Sequence, residues 1–117
     1  MAAPNIVNVA TITGKTAVQA VGTSATAIVT NSGSSGKVFK VNALYVANID
    51  GTSSADITVD LFRSSTAYPI ASTVIVPADA TLDIISKALY LEEGDTLRCT
   101  ASAAGDLVAV CSYEEIS

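Results

Sequence analysis

The sequence predicts an all-β fold, an antiparallel β-sandwich of about 8–9 strands. Val, Ile and Thr dominate its apolar runs, and these side chains suit the pleated surface of a sheet. Turn residues interrupt the runs at intervals of about 8–12 residues, a spacing typical of sandwiches and barrels. Despite the many alanines, no stretch has the period of about 3.6 residues that an amphipathic helix shows.

Apolar runs bounded by turn residues locate the candidate strands. From residue 56 to residue 61 the apolar residues fall at odd positions and the polar ones at even positions, which is the alternation of a half-buried strand. Pro69 and Pro77 cannot donate a ladder hydrogen bond, so we expect them at a strand edge or a strand end. The first two candidates could be continuous, and the full set lies near residues 5–13, 15–21, 25–30, 37–48, 55–63, 70–76, 81–85, 87–91, 95–102 and 107–115.

The last two candidate strands flank a turn at residues 103–106 and predict a C-terminal hairpin. A three-residue loop would place Cys99 opposite Cys111 on one face. A two-residue loop would place Cys99 opposite Val110 and turn Cys111 away. Both registers fit the sequence. In either one we favour two small buried thiols, because free cysteine is among the most buried residue types.

The 117 residues fit a single domain over residues 1–117, with enough chain to bury one core without a metal or a disulfide. Hydrophobic residues make up 50% of the chain and charged residues only 15%, against about 25% in typical soluble domains. We expect a surface rich in Ser, Thr and Ala that is partly covered by a partner. Residues 1–5 could form an N-terminal arm that reaches a neighbour, or could be frayed.

The charge pattern argues against two classes of partner. The net charge is −5, and the 6 Lys and Arg residues are scattered. Nucleic-acid binding and attachment to an anionic membrane both need concentrated positive charge, so we expect neither. No apolar run approaches the ~20 residues that span a bilayer, and the N-terminal sequence lacks a secretory pattern. We therefore expect cytoplasmic synthesis with reduced thiols.

Catalytic motifs are missing from the sequence. It contains no histidine, the commonest general base and metal ligand, and no serine lies in a Gly-x-Ser-x-Gly motif. Cys99 has no histidine to activate it. We therefore expect neither an enzyme nor a bound cofactor.

One acidic turn is a weak candidate for a metal site. Glu92, Glu93 and Asp95 surround Gly94, and clustered carboxylates on a turn are the kind of ligands that Ca²⁺ takes. The interpretation we favour is a solvated turn between two strands, in which glycine supplies the bend.

Acidic residues also lie on two of the candidate strands. Asp56 and Asp60 share the outward face of one strand, with Asp50 nearby in sequence. Solvent or a basic partner surface could offset their repulsion, and we favour solvent. The run 113–117 ends the chain on an amphipathic strand. It could add to the sheet of a neighbouring subunit, but we favour an edge strand of its own domain, with acids that prevent aggregation.

Three parts of the chain together resemble a known family. They are Ser35–Asn42 with Val46–Gly51, then Ala55–Val59, then Leu89–Asp95 with the closing Ser112–Ser117. On these segments, the sequence resembles small virion structural proteins of marine tailed bacteriophages, including cyanophages, over nearly its whole length. The motifs are turns and strand edges, so no catalytic or ligand residue follows from the resemblance.

The resemblance implies a β-sandwich, with the jelly roll as one form, built into a phage particle. The role we expect first is a capsid decoration (cement) protein, homo-oligomeric with a trimer favoured, that contacts the major capsid protein or another virion protein. A tail, neck, baseplate or fibre component is the alternative, and a glycan- or receptor-binding module is a third role.

Five residues are candidates for these contacts. Asn5 lies in the predicted arm, Ser34 in the Ser/Gly-rich loop, and Tyr113 in the terminal strand. Phe62 and Tyr68 lie close in sequence on a polar stretch, where they could form an exposed aromatic patch or plug the end of the sandwich.

Overall fold

The structure, a computed structural model, describes residues 5–117, and these form nine strands. Residues 1–4, which hold most of the predicted arm, lie outside the described residues. Within the described part of the chain, no helix is long and apolar enough to cross a bilayer. The strands are β1 (Ile12–Val21), β2 (Thr26–Thr30), β3 (Val38–Asn48), β4 (Ala55–Arg63), β5 (Thr66–Val76), β6 (Thr81–Asp83), β7 (Leu89–Leu91), β8 (Thr96–Ala101) and β9 (Leu107–Ile116).

The strands form two sheets in which every pairing is antiparallel. Sheet A has five strands in the order β1-β9-β3-β6, and the short β7 also pairs with β3. Sheet B has four strands in the order β2-β8-β4-β5. The predicted all-β antiparallel sandwich is confirmed. Pro69 lies in β5, an edge strand of sheet B, and Pro77 follows the end of β5, as predicted for both prolines.

The two sheets bury one apolar core between them. In β4 the side chains of Ile57 and Val59 are fully buried, as their alternation predicted, and Leu61 is half-buried. Burying apolar side chains such as these is the main favourable contribution to folding. The core consists of Val21, Val29, Phe39, Val41, Leu44, Val46, Ala55, Ile57, Val59, Val76, Ile85, Leu91, Leu97, Cys99, Ala101, Leu107, Ala109 and Cys111.

The strand predicted over residues 5–13 is wrong for most of its length. The chain forms turns and bends up to the start of β1 at Ile12. Asn5 Oδ1 accepts a hydrogen bond from the Val7 N–H at 3.0 Å. An asparagine that satisfies a nearby backbone group in this way competes with strand pairing. The apolar residues of this segment therefore did not predict its conformation.

The predicted C-terminal hairpin is also wrong, because β8 belongs to sheet B and β9 to sheet A. The connection 102–106 crosses between the sheets. About five extended residues reach ~17 Å, more than the ~10 Å between packed sheets. Cys99 and Cys111 therefore enter the core from opposite sheets, so neither hairpin register applies. Both thiols are free, and burial raises the pKa of Cys99 to about 12 and that of Cys111 to about 11.

The C-terminal strand is central to sheet A, so the edge position predicted for it is wrong. β9 lies between β1 and β3 and pairs with both along its length. One of its two acids, Glu115, forms ion pairs within the chain. Glu115 Oε2 accepts a hydrogen bond from Lys15 Nζ at 2.9 Å, and Oε1 accepts one from Lys37 Nζ at 3.1 Å. These hydrogen bonds, that from Lys15 above all, hold the pKa of Glu115 below its ordinary value.

Two buried asparagines tie connections to the sheets. Asn31, fully buried just after β2, donates from Nδ2 to the carbonyls of Lys37 and Leu91, both at 2.9 Å. Its Oδ1 accepts a hydrogen bond from Ser35 Oγ. Asn48, at the end of β3, donates in the same way to the β3–β4 connection and to the end of β5. Each amide supplies donors to carbonyls that water cannot reach freely.

Replacement of Asn31 by alanine is expected to lower the free energy of unfolding by about 2–4 kcal/mol, because it leaves buried carbonyls without donors. Urea denaturation followed by circular dichroism measures the change. The matched control is Asn42→Ala, at an exposed position of β3, where a change within about 0.5 kcal/mol is expected. Equal effects of the two substitutions would contradict the assigned role of Asn31.

Candidate assembly surface

The outward side of sheet A is uncharged across three adjacent strands. Its central row joins Val18 of β1, Val110 of β9 and Tyr45 of β3, which are direct cross-strand partners. Val18 is 72% exposed and Tyr45 is 45% exposed. With the rows on either side, this surface, called the A face below, consists of Thr16, Val18, Ala20, Ala43, Tyr45, Ala47, Val108, Val110 and Ser112.

The A face arises because three strands carry apolar side chains on both of their sides. The runs are 17–21 in β1, 43–47 in β3 and 107–111 in β9, and Gln19 is the one residue in them with a side chain that is not hydrophobic. Alternate residues of each run enter the core, and the others form the A face. Strands of this composition are typical of sheets that are covered on both sides. Only one side of sheet A is covered by sheet B.

The outward side of sheet B is more polar, although Ile75, the cross-strand partner of Asp56 on this side, is 61% exposed. One acid–arginine pair on it is satisfied within the sheet. Arg98 Nε donates to Asp60 Oδ1 at 2.8 Å, and Arg98 Nη2 donates to Oδ2 at 3.2 Å. The guanidinium carbon lies 4.0 Å from the ring centroid of Phe62, which is the distance range of a cation–π contact. The solvent screening predicted for the acidic strand is therefore wrong for Asp60, which has a bidentate arginine partner.

The free edge of β1 borders the A face. Among the described residues, no strand pairs with β1 on the side away from β9. The pairing of β1 with β9 runs over ten residues without a bulge, and β1 contains no proline and one charged residue, Lys15. Proline, bulges, short length and edge lysines are the usual means by which proteins protect sheet edges, and of these β1 has only Lys15.

The other sheet edges do carry such protection. β5 contains Pro69 and two register shifts, and Thr73 in it has a positive φ of 48°. β2 spans five residues and has a register shift of its own, whereas β6 and β7 span three residues each. Within residues 5–117, β1 is therefore the one long and regular edge left open.

The acidic turn after β7 forms ion pairs with an arginine of the same chain. Arg63 donates from Nε to Asp95 Oδ1 at 2.7 Å and from Nη2 to Asp95 Oδ2 at 2.5 Å and to Glu92 Oε2 at 2.8 Å. Burial alone would raise the pKa of Asp95, but the hydrogen bonds from Arg63 and from the Glu92 N–H lower it below the ordinary value. Glu93 Oε2 accepts from the Gly36 N–H at 2.9 Å.

These bonds determine what the acidic turn can bind. Together with Arg63 and Ser64, it lines an open cleft of ≈ 430 Å³. Over residues 5–117, no group of three or more His, Cys, Asp or Glu side chains is placed to hold a metal ion. The guanidinium occupies the position that a cation would take between Glu92 and Asp95.

The exposed aromatic patch, one of the two alternatives for Phe62 and Tyr68, is not formed. Phe62 pairs across the strands with Ala67, whereas Tyr68 pairs with Leu61. Since direct cross-strand partners share a face and neighbouring residues alternate, Phe62 and Tyr68 lie on opposite sides of sheet B. Phe62 is half-buried beneath Arg98, and Tyr68 is 54% exposed near the strand end.

The other three predicted contact residues lie far apart in the chain. Asn5 is exposed at the start of the described chain, and Ser34 is exposed in the β2–β3 connection with a φ of 62°. Tyr113 is half-buried, with its ring centroid 5.6 Å from that of Phe39. No residue of the A face was among the predicted contact residues, although the three two-sided apolar runs are visible in the sequence.

A scan against protein-family models finds no match, and a search of curated proteins finds none either. Among solved structures, the chain is similar to one reported as "Bacillus endospore appendages form a novel family of disulfide-linked pili". The TM-score is 0.53 at 16% identity, over 92% of this chain and 88% of that chain. At this identity the similarity concerns the fold alone.

Two further matches have lower TM-scores. The nucleoplasmin-like N-terminal domain of Drosophila FKBP39 gives a TM-score of 0.47 at 15% identity, over 89% of each chain. A pentameric capsid protein isolated from metagenomic phage sequences gives 0.43 at 20% identity, over 97% of this chain and 64% of that chain. Similarity at this level does not establish a shared architecture.

Replacement of Asp95 by asparagine is expected to destabilise the protein by about 1.5–3 kcal/mol at pH 7, because it removes charged hydrogen bonds from Arg63. The pKa of Asp95 is lowered by folding, so its contribution is complete above the unfolded value of about 3.9 and is lost as the pH falls below it. Urea denaturation at several pH values should therefore show the wild type and Asp95→Asn converging at acidic pH.

The control for this pH dependence is Asp83→Asn, at an exposed position of β6 that has no ion pair among the described residues. Its unfolding free energy should follow the wild type at every pH. A constant difference between Asp95→Asn and the wild type down to pH ~2 would contradict the role given to the carboxylate charge.

Proposed function

We propose that the chain is a structural subunit without enzymatic activity, which assembles through the A face. The observation that carries the proposal is the exposed, uncharged surface centred on Val18, Val110 and Tyr45. Monomeric proteins seldom expose a contiguous apolar surface of this kind, and where one occurs it commonly marks a contact with another protein.

The A face has the composition of a protein–protein interface. Its centre combines an aromatic residue, Tyr45, with aliphatic residues and no charge, and interface centres are depleted in charge and enriched in tyrosine. Charged residues lie at its margins, with Asp83 opposite Tyr45 on β6 and the pair Lys40 and Glu114 beyond the third row. A polar margin around an apolar centre is the usual arrangement.

The assembly we propose is a phage virion, and the role is that of a capsid decoration protein. Its partner is then the major capsid protein or another virion protein, with further copies of the chain completing a homo-oligomer. The resemblance of its turn and strand-edge segments to virion structural proteins supports this placement.

A pilus protein has a similar fold, which shows that such a sandwich can serve in an extended assembly. The strand order also fits the jelly roll, since β1 to β4 alternate between the two antiparallel sheets and β8 and β9 lie in different sheets.

A tail, neck, baseplate or fibre component would use the same fold and the same kind of surface. The two roles differ in copy number, because a shell offers many equivalent sites and a tail offers few. The trimer expected from the sequence stays a prediction under either role.

Copy number per particle tests the role. We expect quantitative mass spectrometry of purified particles to find the chain at an abundance within about tenfold of the major capsid protein, since decoration sites repeat over the shell. A handful of copies per particle would move the proposal to the tail, and absence from purified particles would refute a virion role altogether.

Substitution of Tyr45 by aspartate tests the surface. A charge at the centre of the A face would be desolvated on assembly, so we expect incorporation into particles to fall at least about tenfold while the folded state is retained. The matched control is Tyr68→Asp, which places the same change at a similarly exposed tyrosine outside the A face, near the turn between β4 and β5. Loss of incorporation in the Tyr68 variant alone would show that the contact lies at that end of the sandwich instead.

A further inference from the structure

We propose that β1 pairs antiparallel with β1 of a second copy, about a two-fold axis through Ala17, and so joins the two A sheets edge to edge. The partner is thus another copy of this chain. The inference deepens the assembly proposed above by naming one contact of the homo-oligomer, a two-fold dimer in place of the trimer expected from the sequence. It can succeed or fail independently of where the chain is used.

The first argument is the backbone of β1. A strand at a sheet edge presents a row of unpaired N–H and C=O groups that another strand can pair with. The ten residues of β1 continue the sheet without a bulge, and the edges formed by β2, β5, β6 and β7 are short or interrupted. Among the described residues of a second copy, the one equally regular open edge that β1 could pair with is therefore that copy's own β1. Pairing of identical strands gives the closed two-fold contact that is commonest among homo-oligomers.

The second argument is the alternation of side chains, which limits the register. Thr16, Val18 and Ala20 belong to the A face, whereas Ala17 and Gln19 point toward the core side of the sheet. Cross-strand partners must share a face. An axis through Ala17 meets this condition and pairs residues 13–21 of each copy, with Thr16 opposite Val18 of the second copy.

The third argument is an unsatisfied polar atom. Gln19 Nε2 donates to the Ala27 carbonyl at 2.8 Å, but its Oε1 is buried and has no hydrogen-bond partner among residues 5–117. An axis through Ala17 places Lys15 of one copy opposite Gln19 of the other. An ammonium group has three donors, and the contact from Lys15 to Glu115 uses one of them. The neighbouring register, centred on Thr16, would place Lys15 opposite Ala17 and bring only the short hydroxyl side chain of Thr13 opposite Gln19.

Charge also selects this register. Lys15 is the one charged residue in β1, and a two-fold axis at Lys15 would place two ammonium groups directly opposite each other, which destabilises a sheet. The axis at Ala17 separates them by four positions along the strands. The two A faces then become one continuous surface, with the rows of Val18 from both copies on the same side.

The test uses two double variants that differ only at position 16, where one has lysine and the other glutamate. In Thr16→Lys/Val18→Lys, the introduced lysines would oppose each other twice across the axis, and in Thr16→Glu/Val18→Lys each glutamate would oppose a lysine. We expect sedimentation velocity to show the wild type and the Glu/Lys variant as dimers. The Lys/Lys variant should associate at least about tenfold more weakly than the Glu/Lys variant. Both variants should have similar denaturation midpoints, because both positions are exposed.

Cysteine cross-linking tests the register without disturbing the charges. A mixture of Thr16→Cys and Val18→Cys proteins should form a disulfide-linked dimer under mild oxidation, since direct cross-strand Cβ atoms approach within disulfide range. Each variant alone should not, because its own cysteines would lie diagonally. The native thiols stay protonated near pH 8, because burial raises the pKa of Cys99 to about 12 and that of Cys111 to about 11.

The outcomes separate this inference from the proposed function. A wild-type chain that is monomeric at all concentrations, or trimeric, or equally associated in both double variants would overturn the β1 pairing even if the chain is abundant in particles. Conversely, a dimer with the predicted cross-link from a chain that particles do not contain would refute the virion role and leave the pairing standing.

Discussion

The structure depends on β9 having a full-length neighbour on each of its edges. β1 and β3 each pair with it over about ten residues, so sheet A cannot form until the last strand of the chain is in place. The same strand supplies alternate side chains to the core and to the A face. Contacts between the first and the last strands are also the most distant in sequence, which makes their formation the slow kind of event in β-sandwich folding.

Local patterns in the sequence predicted the class of the fold and several details of it. The alternation from residue 56 to 61 is confirmed by the burial of Ile57 and Val59, and Pro69 lies in an edge strand. The hairpin at residues 103–106 failed because a tight turn and a crossover between sheets use the same turn residues. Which sheet a strand joins is decided by partners far away in sequence, and a single sequence does not contain that information directly.

The charged residues show the same limit. Glu92 with Asp95, Asp60 and Glu115 each looked like solvated or partner-facing acids, but arginines or lysines at least 29 positions away in sequence pair with them. The apolar residues were more informative than the charges. Three runs of five residues, in β1, β3 and β9, have the apolar character on both sides that is typical of a sheet covered on both sides, but no prediction was drawn from them, and only the fold shows that these three strands are neighbours.

The two outer surfaces of the sandwich differ in a way that orients it within an assembly. On sheet B, Arg98 is satisfied by Asp60 and by the ring of Phe62, so this pair gains little from a charged partner. On sheet A, the outward side chains of Val18, Val110 and Tyr45 form no comparable polar contacts, and covering them would remove apolar area from water at about 25 cal/mol per Å². In the assembly proposed above, sheet A would therefore face the partner and sheet B the solvent.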